Sequence, residues 1–155
     1  MNSERVVLRD ERLHGKQHMD DHVRALSVGN ACRAHRQGVL CLISALSFHE
    51  LTTQVPHTID VALERGTRKP RLDYPPTRFF WFSGPAFREG IETHTLDGVP
   101  VRIYDPEKTL ADCFRYRNQI GMDVVLEALR LWRERRRKKL DVLLKYAQDV
   151  TPRVP

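Results

Sequence analysis

The chain has little cysteine. Cys32, Cys41 and Cys113 stand far apart and form no CxxC pair, so the spacing of a structural zinc site is missing. An odd count does not suit a disulfide framework and fits a reducing cytosol. Cys41 and Cys113 fall inside apolar helical patterns and read as small core residues. No apolar run approaches the ~18 residues that a membrane-spanning helix needs. No apolar stretch follows the charged N-terminus, as it would in a secretory signal. The expected location is therefore the cytoplasm. The signatures of common catalytic sites are also missing: no P-loop, no GxGxxG, no HExxH and no GxSxG occurs,. Ser44 and Ser47 lie in an apolar helical pattern without an evident His–Asp arrangement. His49, His57 and His94 are isolated, and a lone histidine is more often a hydrogen-bonded structural residue than a ligand. Neither a metal nor a cofactor is expected.

Positive charge is abundant instead. The 155 residues carry a formal net charge of +6, with 30% charged and 41% apolar residues. That length suits one domain with its own core. A basic balance favours polyanionic partners, either nucleic acid or an acidic protein surface.

Residues 1–37 differ from the rest. They hold four of the seven histidines, and Val6, Val7, Leu8 and Leu13 form no sustained period. Such a composition buries too little to offset ordering entropy, so this segment reads as a flexible or atypical leader. From Gly38 the pattern changes. Val39, Leu42, Ile43, Leu46 and Leu51 share a helical face, which Pro56 ends. Ile59, Val61 and Leu63 alternate as in a half-buried strand. Arg65 to Arg71 is a basic loop, and Asp73-Tyr-Pro-Pro-Thr77 is extended. Arg78-Phe-Phe-Trp-Phe-Ser83 is a strand apolar on both faces, as in the centre of a sheet.

Ile91–Leu96 and Val99–Tyr104 flank Asp97-Gly98, a strong signal for a type I′ hairpin turn. Pro100 lacks a ladder donor, so its strand has an exposed edge near its start or a non-bonded position there. Asp105 caps the next helix with Pro106 at its first position. Leu110, Ala111, Phe114 and Cys113 form the stripe of that helix. Asp123 is placed to cap a further helix whose apolar face is Val125, Leu126, Leu129 and Trp132. Leu140, Leu143, Leu144 and Ala147 mark a last helix, and residues 149–155 read as a tail. Strands in a run followed by helices predict an α+β domain over residues 38–148 with a mostly antiparallel sheet, one helix before and about three after.

Two basic clusters are the candidate nucleic-acid-binding residues. One is Arg65, Arg68, Lys69 and Arg71. The other is Arg130, Arg133, Arg135, Arg136, Arg137, Lys138 and Lys139, seven cations against the single Glu134. Such density attracts phosphates in a salt-dependent way, and a solvated helix–helix junction explains it equally well. A metal-dependent nuclease would want clustered carboxylates and a lysine. Asp60, Asp73, Glu92, Asp105, Glu107 and Lys108 could supply them, although each has a plainer role in a strand, turn, cap or first helical turn.

Several stretches together resemble the AbiEi family of antitoxins, regulators of AbiE-type toxin–antitoxin systems in viral defence. They are Gly38–Pro56, Asp73-Tyr-Pro-Pro76, Phe82-Ser-Gly84, Gly98-Val-Pro-Val-Arg102, Asp105-Pro-Glu-Lys-Thr-Leu-Ala-Asp112 and Tyr116-Arg-Asn-Gln-Ile-Gly121. Shared order and spacing carry the resemblance, and no single motif does. It implies a non-enzymatic antitoxin-type domain of a type IV toxin–antitoxin system. The functional counterpart would be a nucleotidyltransferase-like AbiEii toxin, with no stable complex between the two. Family members carry an N-terminal winged helix-turn-helix that binds operator DNA. Residues 1–37 do not match it, so the chain reads as a truncated or degenerate member whose DNA contact is electrostatic. The alternatives are the nuclease-like domain and a remnant that acts only in protein interaction.

Overall fold

A computed structural model of the chain describes residues 37–150. The expected leader (1–37) and tail (149–155) lie outside the described residues except at Gln37 and at Asp149 and Val150, and these last two belong to the last helix and not to a tail. The elements run β1 (Val39–Leu40), α1 (Leu42–Phe48), β2 (Ile59–Glu64), β3 (Thr77–Phe82), α2 (Pro85–Arg88), β4 (Ile91–Leu96), β5 (Val99–Tyr104), α3 (Pro106–Arg115), α4 (Arg117–Ile120), α5 (Met122–Arg133) and α6 (Leu140–Val150). The architecture is α+β, as expected. Its sheet has five strands in the order β3-β2-β1-β5-β4. The sheet is mixed, with antiparallel residue pairs slightly in the majority. β1–β2 and β4–β5 are antiparallel, whereas β1–β5 and β2–β3 are parallel.

The β4–β5 hairpin forms because Asp97 and Gly98 both adopt positive φ, 48° and 78°. That is the backbone a type I′ turn demands, and its twist matches the strands it joins. β5 pairs with β1 only at Ile103, so the edge around Pro100 is open on that side, where a missing donor costs nothing. β2 and β3 are joined by residues 65–76. About a dozen residues suffice for a parallel return without a helix.

Two strand readings change. Val39 and Leu40 do not begin the first helix; they are a two-residue strand in the middle of the sheet. The chain turns from β1 into α1 within Cys41 and Leu42, and Leu42 takes φ 46°, a left-handed conformation that costs about 1–2 kcal/mol outside glycine. The aromatic strand β3 is at an edge and not in the centre. Phe82 is its one buried aromatic residue, and Phe80 and Phe82 pack on Tyr116 with ring centroids 5.4 and 5.8 Å away.

The larger core joins β1, β2 and β3 to α1, α3 and α5 through Val39, Leu42, Leu46, Ala62, Phe82, Leu110 and Trp132. Phe82 and Tyr104 lie on strands separated by β2 and β1, yet their ring centroids are 6.0 Å apart. The sheet therefore curls toward α3. A smaller core on the other face holds Leu40, Ala45, Val101 and Ile103. Asp105 Oδ1 accepts the Lys108 backbone N–H at 2.7 Å and caps α3 as expected. Gly90 passes close to this helix: a Cβ there would lie 2.7 Å from Lys108 Cβ.

Helix faces also differ from the reading of the sequence. On α3, Cys113 is buried and Phe114 is exposed. On α5 the buried stripe is Val124, Val125, Ala128 and Trp132, which leaves Leu126 and Leu129 exposed. Gly121 precedes α5, and Asp123 makes no capping hydrogen bond. No helix among the described residues is long and apolar enough to cross a membrane.

Candidate functional site

The second basic cluster begins on the last turn of α5 and continues through the segment to α6. Arg130, Arg133, Arg136, Arg137, Lys138 and Lys139 are exposed. Arg135 is half-buried: its Nη2 donates to the His49 carbonyl and ties the segment to the end of α1. Arg135 is thus a structural anchor. Lys138 Nζ donates to the Arg133 carbonyl at 2.5 Å, and the Lys139 backbone N–H donates to Glu107 Oε1 at 3.3 Å. Arg130 lies within electrostatic reach of Glu127. The side chains of Arg133, Arg136, Arg137 and Lys139 make no ion pair with a described residue. The cluster is therefore partly a joint of the fold and partly charge that no described acid neutralises.

Arg65, Arg68, Lys69 and Arg71 are exposed on the β2–β3 loop and likewise pair with no described acid. Backbone bonds hold the loop's start: Arg65 N–H donates to the Phe82 carbonyl at 2.8 Å, and Thr67 N–H to the Glu64 carbonyl at 3.0 Å. The loop of the first cluster starts at the opposite end of the sheet from the second. β1 runs parallel to β5 and antiparallel to β2, so the loop leaves β2 beside the N-terminal half of β5. The segment 134–139 instead gathers near the C-terminal end of β5, where His49 Nε2 meets the Tyr104 carbonyl at 2.7 Å.

His49 is buried among Phe48, His94 and Arg135. Burial lowers its pKa from the ordinary 6.5, against a smaller upward pull from the Tyr104 carbonyl and Glu92. A histidine with a folded pKa below its unfolded value binds protons better when unfolded. Its contribution to stability is full above about 6.5 and is lost as pH falls through and below that value. Between pH 7.5 and pH 5.5 the His49 contribution read by chemical denaturation falls with pH, opposite in sign to that of Asp112, whose raised pKa adds stability as pH falls,. His49→Gln should remove that fall, and an unchanged pH dependence would remove His49 as its cause.

The acidic residues do not assemble. Among the described residues no group of three His, Cys, Asp or Glu could hold a metal ion. Asp60 is fully buried, and its two oxygens accept from Arg78 Nε at 2.8 Å and Nη2 at 2.9 Å. It also takes backbone hydrogen bonds from Ile43 and Ser44, at the start of α1. Burial still raises its pKa. Asp73 is exposed. Glu92 Oε2 sits 2.9 Å from His94 Nε2. Asp105 caps α3 and accepts the Tyr146 hydroxyl at 3.0 Å. Glu107 Oε1 accepts the Trp132 indole N–H at 3.1 Å.

A buried ion pair in α3 was not legible in the sequence. Lys108 Nζ lies 2.6 Å from Asp112 Oδ2, with the side chains 4% and 2% exposed. The ammonium also stands 4.4 Å from the centroid of the Tyr104 ring and 5.1 Å from that of Phe82. Burial pushes the Asp112 carboxyl up to about 6, while Lys108 pulls it down. The i, i+4 spacing was the available signal, but it more often marks an exposed helical pair. The pair borders a small cavity lined by Pro85, Ala86, Glu89, Tyr146 and Asp149.

No family model matches the chain, and no curated protein matches it.

Proposed function

We propose that this chain is a non-enzymatic regulatory domain of the antitoxin type that contacts nucleic acid through the charged segment after α5. The observation that carries this reading is the exposure of Arg133, Arg136, Arg137 and Lys139, whose side chains have no acidic partner among the described residues. Unneutralised cations at this density gain from counterion release when they meet a phosphate backbone. The antitoxin part of the reading rests on the resemblance of residues 38–132 to the AbiEi family. In that reading the cytoplasm is the compartment, and the counterpart is a nucleotidyltransferase-like AbiEii toxin that acts without a stable complex. The carboxylates that a nuclease would need are each engaged in holding an element or lie apart, so the enzymatic alternative has less support.

The test is a salt titration of duplex DNA binding, with the chain's own upstream region beside a scrambled duplex. Arg133→Ala, Arg136→Ala and Arg137→Ala together should lower the slope of log affinity against log salt by about 2.7, since each phosphate contact contributes about 0.9. An unchanged slope would sink the assignment. Arg135 is left in place because its loss would disturb the joint with α1.

A second reading has one observation of its own. Met122, Leu126 and Leu129 are exposed on one face of α5, the pattern of a helix that meets a protein. Salt-independent binding to a protein partner, with no duplex binding, would favour it.

A further inference from the structure

The β2–β3 loop and the strand it feeds carry a second surface of different character. The loop presents Arg65, Arg68, Lys69 and Arg71, all exposed. It also presents Tyr74, whose residue surface is 73% exposed. Trp81, on the edge strand β3, is 41% exposed, and its indole N–H donates to the Thr67 carbonyl at 3.0 Å. That bond pins the ring against the loop with part of its surface open. Because β2 and β3 are parallel and adjacent, the loop must return along the length of β3. It starts beside Phe82 and Trp81 and ends beside Thr77. Trp81 and Tyr74 are therefore spaced along one edge of the sheet, with Arg68, Lys69 and Arg71 on the loop between them and Arg65 at its start.

We infer that this edge binds single-stranded nucleic acid, with Tyr74 and Trp81 as stacking platforms and the loop cations facing the phosphates. The inference rests on the reading of the domain as one that contacts nucleic acid, and it adds a separate surface and a strand type. Charge alone would suit any polyanion. Exposed aromatic rings beside the charge change the preference, because only unstacked bases offer their π faces. A duplex keeps its bases stacked, and reading it from a groove takes a helix or β-ribbon that enters the groove. Here the cations lie on a loop. Tyr74 makes no hydrogen bond with a described residue, which leaves its ring open to a partner. Stacking of this kind is tolerant of sequence.

The test uses the full chain with labelled oligothymidylate, oligouridylate, a duplex of the same length and heparin, followed by anisotropy. Single strands should bind more tightly than duplex at this surface. Tyr74→Ala should weaken single-strand binding about tenfold and leave duplex binding unchanged. Trp132 is buried, so quenching of tryptophan emission by a bound strand should come from Trp81 and disappear in Trp81→Phe. Single-strand binding that is indifferent to Tyr74→Ala and leaves tryptophan emission unchanged would overturn the inference, as would heparin and single strands binding alike in wild type and variant. The triple arginine variant separates the two assignments. Its duplex slope reports on the segment after α5, while the response to Tyr74→Ala reports on this edge.

Discussion

Lys108→Met is expected to cost about 3–5 kcal/mol of folding stability, read by urea denaturation at neutral pH. The ammonium is enclosed by the rings of Tyr104 and Phe82 and held 2.6 Å from Asp112 Oδ2. Removing it leaves the Asp112 carboxyl in the interior with no counter-charge, to be carried unpaired or neutralised by an extra proton,. Replacing both partners, as Lys108→Met with Asp112→Leu, removes the orphaned charge and should recover most of the loss, since the net worth of a buried pair is small. The pH dependence follows from the sign of the shift. In the folded chain burial places Asp112 at about 6, above its ordinary 3.8, so the folded state holds this proton more tightly. Its contribution to stability is full below about 3.8 and declines as pH rises toward about 6. Without Lys108 the downward pull is gone, and the decline should extend to higher pH. A single variant within about 1 kcal/mol of wild type, or a double variant no better than the single, would contradict this account.

The second large effect is expected at Asp60. Asp60→Asn should destabilise the domain by about 3 kcal/mol or more, because hydrogen bonds to a charged group contribute roughly 1.5–3 kcal/mol each. The substitution disrupts the two-point contact with Arg78 and weakens the hold on Ile43 and Ser44. Those backbone groups lie where the chain turns from β1 into α1 through the left-handed Leu42, so the carboxylate stabilises a strained start. Arg78→Ala should also destabilise, by leaving Asp60 buried with backbone partners alone. Thermal and chemical denaturation of both variants check this. The same variant decides against the nuclease alternative or for it. Metal-dependent cleavage by the wild type, abolished in a stably folded Asp60→Asn, would support an enzyme.

Short-range features were legible in the residues because their causes are short-range. Asp97-Gly98 makes its hairpin turn through the backbone freedom of two positions. Asp105 and Pro106 start α3 by satisfying, or not needing, the first amide hydrogens. Alternation located β2, although all four of its middle residues are buried and the half-buried reading was too weak. The two basic clusters were visible as charge density, but their meaning was not. Arg135 looks like its neighbours in the chain and differs only because it meets the His49 carbonyl. Tyr74 and Trp81 are joined into one surface only by the edge that the loop and β3 share.

The local pattern of turns, caps and apolar stretches set the class of the domain and most of its elements, since each depends on a few adjacent residues. The order of the strands, the parallel return of β3 to β2 and the central place of a two-residue β1 depended on pairings between distant segments. No local period encodes those pairings. The same holds for the faces of α3 and α5. Every helix offers several apolar stripes, and contact with the curled sheet and neighbouring helices chose among them, burying Val124, Val125, Ala128 and Cys113 and leaving Phe114, Leu126 and Leu129 outside. Lys108 and Asp112 were buried by that choice too, because each neutralises the other where water is excluded.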